Sequence, residues 1–261
     1  MIRRIEDRDR IRDFCRRDPG RFAFHLGDLD DVEWPNSHFF AKENRGIIEE
    51  LVLAYLGLST PSVQLFGARG ALGKAALKFL PHLPERFHLH FHIEDAPVLE
   101  RELEFENPGR LLRMRWDGFP REMKRRPAET RLLSPGQLGE LLALLQSSFA
   151  GIFFEPRQLE KALFSGAFLD GRLVACAGFH VLSQREGVGV FGNIATLPEM
   201  RGRGLAAEAL IRLIEESRDL VGLLALNVHE TNTPALALYG KLGFNELFRY
   251  QESLATSRHR D

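Results

Sequence analysis

The segment of this chain best equipped for chemistry is Asn193-Ile-Ala-Thr-Leu-Pro-Glu-Met-Arg-Gly-Arg-Gly-Leu-Ala-Ala-Glu-Ala-Leu210. Its pattern predicts a strand running into a short loop, with Gly202 and Gly204 immediately before a helix. Backbone N–H groups and the positive end of the helix dipole then converge on one point, a geometry that binds phosphate. Lacking Cβ atoms, Gly202 and Gly204 let an anion approach the main chain and permit positive φ. Arg201 and Arg203 flank the loop and add charge. On these residues alone the turn stays open between a phosphate cradle and an ordinary strand–helix connection. Tyr239 is a second candidate: a phenol, with an ordinary pKa of about 10, can hydrogen-bond a sulfur and give it a proton as negative charge develops. Lying shortly before Leu242 and Phe244, it equally suits a core anchor. Asn232, just ahead of a helix, reads either as a ligand contact or as an N-cap.

Arg201-x-x-Gly204-x-Ala206 resembles the Arg/Gln-x-x-Gly-x-Gly/Ala signature of the GNAT family of N-acetyltransferases. Downstream, Leu226-Asn-Val-His-Glu-Thr-Asn232-Thr-Pro-Ala235-Leu-Ala-Leu-Tyr239-Gly-Lys-Leu-Gly243-Phe244 is similar to that family's second signature. The resemblance covers about residues 131–250. The resemblance implies acetyl-CoA as acyl donor and a small amine or amino acid as acceptor. It also implies that Ile194, Ala195 and Thr196 pair with the pantetheine arm, and that the amides of Arg201, Gly202, Arg203, Gly204, Leu205 and Ala206 hold the pyrophosphate. Asn232 and Ala235 fall on cofactor-touching positions, and Tyr239 on the acid that protonates the departing thiolate. An inactive coenzyme A sensor, or a glycine N-acyltransferase-like enzyme using a longer acyl chain, is the alternative.

Amine attack needs a neutral amine, hence a proton acceptor or a water relay. The strand position where histone-type members carry Glu falls near Val188 here. Glu186, Glu155, His180 and His229 are the remaining candidates, each equally readable as structural. An acceptor wall is expected at Phe149, Phe153 and Phe154 and near Gln184, and Cys176 reads as core.

Other signals are weaker. His88, His90 and His92 share one strand face with Glu94 nearby, but the ligands would come from one flat element, so no metal is expected. Ala68–Ala75 brushes the P-loop pattern yet lacks its first Gly and its Ser/Thr.

The elements that must position these residues are clearest after residue 130. Ser134-Pro135 opens a helix through Leu145, and a second helix is expected over Arg157–Phe164. Strands at 167–169 and 173–182 flank Asp170-Gly171, a two-residue hairpin signal. A strand over 188–197, a helix over 205–218, a strand over 221–228 and a helix ending at Gly243 follow. Upstream, a helix is expected over Ile5–Arg17, strands over 47–58, 62–66, 87–93 and 111–116, and a helix over Lys74–Leu80. Two prolines bracket a polar, basic stretch at 119–129, the best linker. The expected organisation is therefore an α/β (α+β mixed-sheet) protein with the GNAT fold over 126–261. Residues 1–125 are expected to be a degenerate copy, since strand, glycine turn and helix recur there in order.

Composition sets the limits. The chain has 261 residues, 44% hydrophobic and 27% charged, which excludes disordered and low-complexity classes. With 35 basic and 36 acidic residues the net charge is -1, so no nucleic-acid partner is expected. The charged N-terminus and the lack of a long apolar run lead us to expect neither secretory signal nor membrane partner. Two cysteines, Cys15 and Cys176, point to the reducing cytoplasm. A monomer or homodimer is expected.

Overall fold

The computed structural model describes residues 2–122, 128–148 and 154–258. It divides into two compact units, the first made of Met1–Arg113, Val228–Thr231 and Leu247–Asp261, the second of Met114–Asn227 and Asn232–Glu246. Of the linker stretch, residues 123–127 lie outside the described residues.

The first unit runs β1 (Ile2–Ile5), α1 (Arg8–Cys15), α2 (Ala23–Gly27), β2 (Ser37–Asn44), β3 (Ile47–Tyr55), β4 (Ser62–Leu65), β5 (Arg86–Phe91), α3 (Ala96–Leu99) and most of β6 (Leu103–Trp116). β1 through β4 pair antiparallel in turn, and β4 then pairs parallel with β5. Residues 251–256 of the last strand lie antiparallel to β5. The first helix starts three residues later than expected, because Ile5 closes β1 and the Asp7 carboxylate caps α1 by accepting from the Arg10 amide at 3.1 Å. The helix expected over Lys74–Leu80 is instead a 3₁₀ segment, Gly73–Lys78. Gly73 stands at φ 56° at one end, and Pro81 beyond the other blocks continuation of an α-helical ladder. Val63, Leu65, Phe79, Leu89 and Phe91 form the apolar core around it.

The second unit runs β7 (Glu129–Leu132), α4 (Leu138–Ser148), α5 (Arg157–Lys161), β8 (Phe164–Leu169), β9 (Arg172–Ser183), β10 (Val188–Thr196), α6 (Leu205–Ser217), most of β11 (Leu223–His229), α7 (Thr233–Lys241) and the start of β12 (Phe244–Ser257). β7, β8, β9 and β10 pair antiparallel in turn, and β10 pairs parallel with β11. Asp170 and Gly171, at φ 50° and 76°, make the hairpin turn. Gln137 closes the entry to α4 by accepting from the Ser134 amide at 3.0 Å. The helix expected through Phe164 stops at Lys161, and Phe164 opens β8 opposite Gly178.

Both units therefore follow one order: a strand, two helices, three antiparallel strands, a crossover and a parallel strand. In each unit the strand pairing is mixed, and the first unit repeats the strand and helix order of the second. No helix among the described residues is long and apolar enough to cross a membrane.

Candidate functional site

Two strands that begin as partners in the second unit separate before they end. Val188 to Phe191 of β10 pair with Leu223 to Leu226 of β11, and the pairing stops there although β10 continues to Thr196 and β11 to His229. From Gly192 onward the β11-facing edge of β10 has no strand partner among the described residues. Its other edge stays bonded to β9, with Ala195 opposite Cys176 and Thr196 opposite Ala175. A bulge between Gly192 and Ala195 turns the strand, and Asn193 there takes φ 51°. Asn is among the few side chains that tolerate this region, so the Gly192-Asn193 pair was a signal for the bend that periodicity alone missed. The Asn193 carbonyl accepts from the Cys176 thiol at 3.2 Å, while its Nδ2 is buried with no partner among the described residues.

Just beyond β10 comes the glycine loop. Gly202 and Gly204 stand at φ 75° and 80°, and Gly204 is the N-cap of α6 with no side chain capping the helix. The leading amides of α6 have no intrahelical acceptor, so the sequence-expected donors at Leu205 and Ala206 point the helix's positive end outward. The two arginines do something else: Arg201 donates to the Ser148 carbonyl at 2.9 Å, and the Arg203 guanidinium lies 3.1 Å from the Met200 sulfur. Arg201 thereby ties the loop to the end of α4, which Ser148 reinforces by donating to the Thr196 carbonyl at 3.2 Å.

Asn232 caps α7, its Oδ1 accepting from the Ala235 amide at 3.3 Å. Tyr239, on the same helix, is buried and lies 5.9 Å from Phe244, which lies 6.1 Å from Phe191 where the two strands part. Burial pushes its phenol well above the ordinary range, so it holds its proton at neutral pH. The second-unit residues Ile194 to Ala206, Asn232, Ala235 and Tyr239 thus occupy the parted strands, the loop between them and the helix that follows.

The remaining candidates are placed as follows. The Cys176 thiol is fully buried and pushed up to about 12 by that burial, which suits core and not a nucleophile. Glu155 pairs with Arg157 at 3.0 Å. Glu186 is buried in the turn ahead of β10. His229 belongs to the first unit, its ring packed on Gly109. His180 lies against Gly192. Phe154 meets Phe164 edge-on at 5.7 Å, whereas Phe149 and Phe153 lie outside the described residues. A cavity of about 470 Å³ opens between α4 and the β8–β9 turn, lined by Glu140, Leu144, Ser147, Arg172 and Glu199. Of the histidine trio, His90 lies 3.3 Å from the Glu252 carboxylate, and no group of residues able to hold a metal ion occurs among those described.

The acetyltransferase (GNAT) family model matches residues 134–244, the stretch that holds both the parted strands and the glycine loop. Residues 134–244 are a GNAT domain. Over its whole length the chain is similar in fold to a tandem GNAT protein from the clavulanic acid biosynthesis pathway, at 13% identity and a TM-score of 0.58, covering 100% of this chain and 99% of that one. A Drosophila protein matches at 14% identity and a TM-score of 0.73, covering 97% of both. A GNAT-family protein from Novosphingobium aromaticivorans matches at 21% identity and a TM-score of 0.59, covering 80% of this chain and 89% of that one. No curated protein sequence matches the chain.

Proposed function

We propose that the protein is an N-acetyltransferase that moves an acetyl group from acetyl-CoA to a primary amine of a small molecule or amino acid, by direct attack in a ternary complex. The observation that carries this reading is the parting of β10 from β11 after Phe191, directly ahead of an uncapped helix N-terminus. Main-chain groups of Ile194, Ala195 and Thr196 on the open edge pair with the pantetheine arm as an added strand would. The amides of Gly202 to Ala206 receive the pyrophosphate, and Arg201 holds the loop in place. Asn232 and Ala235 sit where α7 begins and contact the same arm. Tyr239, which burial keeps protonated at neutral pH, donates that proton to the departing thiolate. A cofactor gripped by main-chain amides suits a chain of net charge -1. The same balance supports a partner list without nucleic acid, and two buried cysteines outside any disulfide support a reducing cytoplasm.

Calorimetry and thermal denaturation with acetyl-CoA test the reading. Binding at high micromolar concentration with a raised melting temperature is expected, because a ligand of the native state stabilises it by mass action. Absence of both overturns it. A screen of amines and amino acids with coenzyme A release as readout then identifies the acceptor.

A further inference from the structure

β9 carries one residue more than its partner at the point where the strands part. Val181 pairs with Val190 and Phe179 with Phe191, so His180 between them is the extra residue of a bulge. Bulges re-aim side chains and recur beside active sites. The re-aimed ring lies on Gly192, where a Cβ would stand 2.0 Å from both Cδ2 and Nε2 of the imidazole. The missing side chain at Gly192 is what admits His180 to the strand.

The side of the sheet on which it lies follows from register. Gly192 is opposite Gly178, and Gly178 is opposite Phe164, whose ring covers it. Phe164 in turn meets Phe154, in the segment leading into α5. The other face belongs to α6: Ser165, opposite Ala177, donates to the Ala209 carbonyl at 2.6 Å. His180 therefore faces the α4–α5 side. A pantetheine arm that leaves the glycine loop and follows Thr196 back to Ile194 brings its thioester to Gly192 and Asn193, about 7 Å further at ~3.3 Å per residue, because the cleft closes at Phe191.

Resting on the acetyltransferase reading above, we infer that His180 is the general base that deprotonates the acceptor amine. The step balances as follows. The ammonium gives one proton to the imidazole, and the freed lone pair forms the C–N bond to the thioester carbon. The C–S bond breaks with its electron pair on sulfur, and the amine's second proton neutralises that charge through Tyr239. Imidazolium then releases its proton to water. No other group on these strands can serve: β8, β9 and β10 hold Arg172, Cys176 and His180 as their ionisable side chains. Arg172 pairs with Glu199 at 3.1 Å, and the buried Cys176 thiol titrates far above neutrality. From the elements packed on this side come Glu140 of α4, the paired Glu155 and Arg157, and Glu160 and Lys161 of α5.

The experiment has two arms on the intact protein, after acetyl-CoA binding has been measured by calorimetry. In the first, diethyl pyrocarbonate labels histidines and mass spectrometry reads His180. Saturating acetyl-CoA is expected to slow its labelling several-fold, and unchanged labelling with acetyl-CoA bound overturns the inference. In the second, His180→Gln is compared with wild type on the amines that the screen returns. Expected are a kcat lower by about 10²–10⁴, unchanged acetyl-CoA affinity and loss of the acidic limb of the pH profile. The loss is expected to shrink for a weakly basic acceptor such as hydroxylamine, which arrives neutral. A kcat and pH profile like wild type overturn it, as does an equal loss on both acceptors. Imidazole added to His180→Ala restores turnover if the base alone is missing. Failure of acetyl-CoA to bind at all sinks the acetyltransferase reading instead, so the two failures are distinguishable.

Discussion

The two units reach the same point in their topology, a strand, a crossover and a parallel strand, and treat it in opposite ways. In the first, all of β4 pairs with β5, Ser62 with His88 through Leu65 with Phe91, so no edge opens. Its crossover is 3₁₀, and the loop amides are already taken. The Asp95 carboxylate accepts from Leu72 at 2.9 Å and Gly73 at 2.6 Å, and Glu50 accepts from Ala68 at 2.7 Å. In the second, the strands part after Phe191, a 13-residue α-helix follows, and no side chain caps it. One copy satisfies its backbone with its own carboxylates, while the other leaves its helix N-terminus without a side-chain cap, where the proposed cofactor's phosphates would sit. The lesson is that a binding site of this kind is a set of main-chain groups left unpaired, and that internal anions close it without any change of topology.

Breaking the open copy at its chemistry gives the largest effect. Tyr239→Phe is expected to lower kcat by about 10²–10⁴ while acetyl-CoA binds as before; steady-state kinetics beside calorimetry decide, and an unchanged kcat removes Tyr239 from the reaction. Next comes the closed copy. Asp95→Ala takes the acceptor from two amides at once, and burial has raised the Asp95 pKa against the pull of those two bonds. A loss of about 3 kcal/mol in unfolding free energy is expected, read by urea denaturation, with acetyl-CoA affinity unaltered. Tighter or additional acetyl-CoA binding would mean that the first unit's loop is a masked cofactor site, and the contrast drawn above would collapse.

A smaller effect is expected at Gly204, whose φ of 80° side chains adopt at a cost. Gly204→Val should weaken acetyl-CoA at least about tenfold, or about 1.4 kcal/mol, and calorimetry giving wild-type affinity would deny the loop its role. This glycine was legible in the sequence because its requirement is local: a left-handed residue before a helix leaves a Gly where others fail. The Asn232 cap and the Asp170-Gly171 turn were legible for the same reason. The bulges that aim His180 and bend β10 at Asn193 were not, since a bulge is a mismatch between two strands and neither shows it alone. Nor was the fate of Arg201, which depends on Ser148 at the end of a distant helix. In the first unit, residues 74–80 have helical composition, and it is Pro81 and the carboxylate of Asp95 that impose the tighter turn.

The least of these effects tests how completely the first unit answers its own polar groups. Arg113 does find acceptors, the carbonyls of Gly20 at 3.2 Å and Arg21 at 2.8 Å, and lies over Phe66, Phe248 and Tyr250. His25 does not: it is fully buried, packed edge-on to Phe22 at 5.0 Å, and neither ring nitrogen finds a hydrogen-bond partner among the described residues. Burial, helped by the Arg113 charge, holds its pKa down to about 3 against an ordinary 6.5. The unfolded chain therefore binds a proton that the folded one refuses, so this contribution is whole above pH 6.5 and is lost as pH falls toward 3. The slope is about 1.4 kcal/mol per pH unit. His25→Leu keeps the volume and removes the proton site, so its unfolding free energy should fall less than that of wild type between pH 6.5 and 5.5. Parallel pH curves for the two proteins would show that His25 finds a partner in solution and is answered as Arg113 is.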